Sequence, residues 1–153
     1  MSSRFVHLHL HTEFSLADSI IRVPEKPDHA DPKKAKQANL LSRAVELGMP
    51  ALAVTDRNNL FALVKFYKAA EGAGIKPIAG ADVMVAEGGE APWPVTLLCR
   101  DREGYLSLSR LLSRAWMEGH RTDGVAIEPE WLRGDHQGLV AIIGRQSLAG
   151  RLA

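Results

Sequence analysis

Alternating strand and helix signals predict an α/β domain, with a largely parallel sheet that is either open or closed into a barrel. Short apolar runs of strand length recur at residues 51–55, 95–100 and 138–144. Between them lie stretches with apolar residues at helical spacing, such as Leu60, Leu63, Val64 and Tyr67. A chain of 153 residues, 46% hydrophobic and 24% charged, is one domain's worth of ordinary globular sequence with a real core.

The first element is a strand over residues 5–12, where His7, His9 and His11 alternate with Val6, Leu8 and Leu10. A side-chain period of two sends the imidazoles to one face and the aliphatics to the other. Pro24, Pro27 and Pro32 among mixed charges make 23–34 a loop. A helix follows from Lys34 through Ala38, Leu41, Ala44, Val45 and Leu47, and Gly48 stops it. Residues 51–55 form a short buried strand. A second helix spans about 59–71 and ends at Gly72 and Gly74. Strands near 76–86 and 95–100 come next, then a helix carrying Tyr105, Leu108, Leu111, Leu112 and Ala115. Residues 138–144 are the last strand. There is no internal repeat and no low-complexity linker.

Charge and cysteine content exclude several classes. Nineteen basic and 18 acidic residues leave a net charge of +1, without the basic footprint of a protein held on nucleic acid by phosphate contacts. The single cysteine, Cys99, forbids an internal disulfide and a Cys-rich zinc site. Its apolar surroundings, Pro94 to Arg100, predict a buried, inert thiol. No apolar stretch has membrane-spanning length and the N-terminus has no signal-peptide core, so the expected location is cytoplasmic.

In parallel α/β folds, chemistry collects at the carboxyl ends of strands. That rule selects His11 and Glu13, Asp56 and Arg57, Asp82, and Arg145. Imidazole is the commonest protein ligand for zinc-like metals, so the histidine strand is a metal wall or simply a half-polar face. Asp18 follows where a loop can bring a carboxylate to the same ion. Asp56 has two open roles, ligand or N-cap of the next helix, and Asn58 is the alternative cap. His29, His120 and His136 sit in polar loops as solvated side chains, and Arg110 with Arg114 form a solvated helix face.

The stretch Arg4-Phe-Val-His-Leu-His-Leu-His-Thr-Glu-Phe-Ser-Leu-Ala-Asp18 resembles the first motif of the polymerase and histidinol phosphatase (PHP) domain. More narrowly, it is similar to the PHP domains that open bacterial replicative DNA polymerase III alpha subunits. Further blocks fall in the same order. They include Gly48-Met-Pro-Ala-Leu-Ala-Val-Thr-Asp56, Asn59-Leu-Phe-Ala-Leu-Val-Lys-Phe-Tyr-Lys68 and Gly74-Ile-Lys-Pro-Ile-Ala-Gly-Ala-Asp82. Residues 104–115, Glu130-Trp-Leu132 and 138–144 complete the set, with residues 22–33 reading as an insertion.

The resemblance implies a distorted seven-stranded (β/α) barrel that holds up to three metal ions at the carboxyl ends of its strands. This chain would be its front portion, with the polymerase palm, fingers and DNA-binding regions beyond it and no polymerase activity of its own. The complete protein would be a DNA-directed DNA polymerase (a nucleotidyltransferase) using magnesium. Carried over position by position, His9, His11, Asp18, Asp56 and Asp82 fall on metal-ligand positions. Arg57 stands where metal-binding members carry histidine, and Arg145 where they carry cysteine. A guanidinium cannot coordinate a metal. The expected site is therefore degenerate: at most one zinc or manganese ion, with the arginines supplying charge through ion pairs with Asp18, Asp56 or Asp82. The segment would serve as a structural platform and docking surface for the proofreading exonuclease, with other replicase subunits and primer-template DNA engaged through the full protein. The alternative is a metal-dependent phosphoesterase or 3′–5′ exonuclease of the same family. A free-standing small-molecule phosphatase is disfavoured by the polymerase-like blocks at residues 65–67 and 110–114.

Overall fold

The computed structural model describes residues 5–23, 39–89, 91–122 and 124–144. Arg145, His29, the start of the expected first helix at 34–38 and most of the expected insertion lie outside the described residues. The chain separates into two compact units, one of residues 1–56 and 60–78, the other of residues 57–59 and 79–153.

In the first unit, strand β1 (Ala51–Val54) is buried along its length. The leading arm, residues 5–12, runs parallel to it but meets it at one isolated bridge, His7 to Leu52. The Ala53 N–H donates to the His7 carbonyl, and the Thr55 N–H to the Leu10 carbonyl. Between those two bonds the arm advances three residues while β1 advances two, so the arm bulges. The expectation of one regular strand over 5–12 is corrected here. The Thr55 hydroxyl takes the Leu10 N–H at 2.9 Å, replacing a backbone carbonyl and ending the ladder.

Beyond the arm, a kinked 3-10 helix runs over Glu13–Asp18, with Thr12 as its N-cap. Helix α1 (Leu40–Glu46) starts at a capping box between Asn39 and Ser42 and buries Leu41 and Ala44. Gly48 lies just beyond its end at φ +67°, a conformation open to glycine without strain. Helix α2 (Leu63–Gly72) buries Phe66 and Ala70. Its N-cap is Ala62 with no side-chain bond, so neither Asp56 nor Asn58 caps it. Val23, Leu41, Leu52, Val54, Phe66 and Ile75 form the core of this unit.

Strand β2 (Lys76–Val85) begins in the first unit, where the Lys76 N–H donates to the Pro50 carbonyl, and continues into the second. There it pairs antiparallel with β3 (Trp93–Cys99), from Gly80 opposite Leu98 to Val85 opposite Trp93. Helix α3 (Arg102–Glu118) opens at an Asp101 cap on the Gly104 N–H. It buries Leu108, Leu111, Leu112 and Ala115. A two-residue hairpin pair, β4 (His120–Arg121) and β5 (Gly124–Val125), and the short helix α4 (Pro129–Gly134) follow. Strand β6 (Leu139–Ile142) then pairs antiparallel with the other edge of β3. The Arg114 guanidinium stacks 4.1 Å above the Trp131 ring.

The expectation of a largely parallel sheet is therefore corrected in this unit. A parallel crossover needs about a dozen residues or more, and the connection at 86–92 is too short to supply one. Gly88 in that connection has φ +56°. Among the described residues, no helix is long and apolar enough to cross a membrane.

Candidate metal centre

The arm's imidazoles fall into two environments. His9 and His11 lie side by side, ring centroids 4.9 Å apart and planes inclined at 52°. The His7 ring instead packs edge-on against Phe5, at 4.6 Å and 88°. His9 is exposed and His11 is partly buried. The pair is thus open to solvent and offers imidazole nitrogens, a donor set suited to a zinc-like divalent ion.

What holds this pair is the end of β1. Thr55 grips the residue before His11 twice: its N–H donates to the Leu10 carbonyl at 2.8 Å, and its hydroxyl accepts the Leu10 N–H at 2.9 Å. Asp56 grips the residue after it. The carboxylate accepts from the Thr12 N–H at 2.6 Å, the Thr12 hydroxyl at 2.7 Å and the Ser15 hydroxyl at 2.6 Å. Thr12 is fully buried and Asp56 is 2% exposed. Further along, the Ser19 hydroxyl donates to the His11 carbonyl at 2.8 Å. The Glu13 N–H closes the turn by donating to the Ile21 carbonyl. Within that turn Leu16 takes φ +44° and is 83% exposed. This left-handed backbone is uncommon for a residue with a Cβ.

The other expected site residues are placed as follows. Asp18 is exposed at the end of the 3-10 helix. In the second unit, Asp82 is 5% exposed on β2 and accepts from the Thr96 hydroxyl at 2.6 Å. Arg57 forms a parallel backbone bridge with Asp82, and its side chain is exposed. Asn58, at φ +52°, donates its N–H to the Asp82 carbonyl and its side-chain amide to the Val125 carbonyl. Its own carbonyl accepts the Trp116 indole N–H at 2.8 Å. Short polar side chains such as Asn tolerate this backbone better than most residues.

Thr12, Ser15, Thr55 and Thr96 are the residues that sequence reasoning passed over, and Asn58, expected only as a helix cap, instead joins residues of the second unit. The available signal was hydroxyl side chains flanking each candidate ligand. Away from this region Cys99 is half-buried, less than the buried thiol expected; burial and then the nearby Asp101 carboxylate push its thiol up to about 11.

The PHP domain family's sequence pattern matches residues 7–153, and the chain belongs to that family. Among curated proteins, it is 71% identical over 152 residues to the DNA polymerase III subunit alpha of Xylella fastidiosa (strain 9a5c). That alignment covers 99% of this chain and 13% of the relative. The Pseudomonas aeruginosa protein of the same name is 47% identical over 146 residues, covering 93% of this chain and 11% of its own length. Among solved structures, an amidohydrolase from Chromobacterium violaceum aligns over 74% of this chain and 37% of its own. Its TM-score is 0.46 and its identity 21%.

Proposed function

We propose that this chain is the PHP portion of a bacterial replicative DNA polymerase III alpha subunit. In that reading the complete protein performs template-directed, magnesium-dependent DNA synthesis in the cytoplasm. The portion itself is a structural platform and a docking surface for the proofreading exonuclease. One observation carries the reading: 71% identity to a polymerase alpha subunit across 152 residues, 99% of this chain. The platform role draws support from Asp56, whose grip on Thr12 and Ser15 needs no metal. The test is co-elution on size-exclusion chromatography with the purified proofreading exonuclease of the same organism. A shared peak at micromolar concentrations is expected. Separate peaks, with both proteins folded by circular dichroism, would refute docking through this portion.

His9 and His11 favour a second reading, a residual metal-dependent phosphoesterase of the PHP family. They are the candidate ligands for one zinc or manganese ion, with Asp18 and Asp82 as the further carboxylate positions of the family pattern. A bound divalent ion would supply a water of lowered pKa and charge to stabilise a phosphoester transition state. Arg57 and Arg145, at positions where metal-binding members carry ligands, weigh against a full cluster. Zinc- or manganese-dependent hydrolysis of a 3′-phosphodiester that is lost in His9→Ala would establish this reading. Hydrolysis unaffected by that variant would dismiss it as contamination.

A further inference from the structure

We infer that Asp56 is a positioning residue and not a metal ligand: with Thr55 it fixes the backbone on both sides of His11 and so sets the direction of the His9–His11 pair. The inference rests on reading that pair as the metal-binding element. A carboxylate has about four lone-pair positions. Three of those on Asp56 are taken, two on Oδ1 by the Thr12 N–H and the Ser15 hydroxyl, and one on Oδ2 by the Thr12 hydroxyl. At 2% exposure the fourth faces almost no solvent.

The peptide units beside His11 show what those bonds accomplish. The unit before it carries the Leu10 carbonyl, which accepts the Thr55 N–H. The unit after it is held at both ends: its N–H, on Thr12, reaches Asp56, and its carbonyl, on His11, accepts the Ser19 hydroxyl. With both flanking peptide planes fixed, the φ and ψ of His11 are fixed too, and its Cβ can point only one way. Residues that hydrogen-bond around a metal ligand act in this manner, by removing the freedom of the ligand they support.

The ligand and positioning roles predict opposite outcomes for two variants. In Asp56→Asn the side-chain carbonyl still accepts the Thr12 N–H and the Ser15 hydroxyl, and the amide donates to a Thr12 hydroxyl that turns round to accept. The grip survives while the charge is lost. In Thr12→Val with Ser15→Ala the charge survives while two of the three grips are lost. The test is titration of the full chain with cobalt(II), reading the d–d absorption and its intensity, with folding checked by far-UV circular dichroism. Positioning predicts that Asp56→Asn stays within about threefold of the parent affinity, while the Thr12→Val, Ser15→Ala variant falls about tenfold or more. If Asp56→Asn instead falls as far as His9→Ala, and the double variant holds or gains affinity, Asp56 is a ligand and the inference is wrong.

Hydrogen exchange at the Thr12 amide, measured without metal, separates this result from a failure of the metal reading itself. Slow exchange in the parent and Asp56→Asn with fast exchange in Asp56→Ala supports the anchor even if no variant binds cobalt. Equally fast exchange in Asp56→Asn and Asp56→Ala overturns it.

Discussion

Replacing Asp56 with alanine removes one side chain and strands three donors. Two are hydroxyls, on Thr12 and Ser15, which can rotate toward other acceptors. The third is the Thr12 backbone N–H, 2.6 Å from the carboxylate in the parent and enclosed by a fully buried residue. An unsatisfied buried donor costs about 1–3 kcal/mol, and each hydrogen bond to a charged group contributes about 1.5–3 kcal/mol net. Allowing for reorientation of the hydroxyls, the loss is about 3–4 kcal/mol, a large share of the stability of an ordinary domain. Urea unfolding followed by circular dichroism measures it directly. With a slope of about 2 kcal/mol per molar, the midpoint falls by about 1.5–2 M. Asp56→Asn keeps the acceptor for the Thr12 N–H and should lose less than half as much. A midpoint for Asp56→Ala within about 0.25 M of the parent, or equal losses in the two variants, would refute the reasoning.

Three other perturbations test separate parts of the fold. In Gly104→Ala a new Cβ meets the backbone carbonyl of Gly138, so the melting temperature should drop even though alanine is the better helix former by about 1 kcal/mol; a rise would mean the two segments are not in contact. Asn39→Ala deletes the acceptor that receives the Leu41 and Ser42 N–H groups, with an expected loss of about 1 kcal/mol in urea unfolding, whereas Asn39→Asp should stay near the parent. The Cys99 thiol, raised from 9.0 to about 11, should resist a thiol-specific disulfide reagent at pH 8 in the native chain and react quickly in urea. Because the unfolded thiol loses its proton first, the stability this group confers is complete below pH 9 and declines as pH rises from 9 towards 11. Rapid native labelling at pH 8 would show Cys99 to be accessible.

Periodicity made the longer elements legible. Helix α3 and strand β2 lie where the apolar pattern put them, because α3 buries one apolar face and β2 buries consecutive residues from Gly80 to Val83. Helix α2 was legible in kind but begins at Leu63, later than expected. The residues before it are engaged elsewhere: Asn58 spans to Val125 and Trp116, a tertiary use that no local pattern encodes. The antiparallel direction of β2 and β3 was equally hidden, since strand patterns carry no direction and only the short 86–92 connection points to it. The β4–β5 pair and α4 were too short to register. At the candidate centre, the His9–His11 pairing was legible from their spacing. The exclusion of His7 followed from the resemblance but not from the spacing, because the bulge involves the Thr55 side chain, more than forty positions along the chain. Likewise the sequence motif marks Asp56 as important without saying whether it faces an ion or two hydroxyls.

The bonds around Asp56 also bear on how such a domain can change over generations. A pocket whose shape is imposed by an ion loses its form when a ligand mutates, and selection then guards every ligand together. Here the segment bearing the histidines is fastened by an amide and two hydroxyls, all encoded within the chain. Ligand positions are thereby released from the duty of maintaining shape. If position 57 is a ligand position, as the resemblance implies, its arginine is a substitution that a self-fastened scaffold can survive. Chemistry can then lapse by degrees while the backbone of the segment keeps its form.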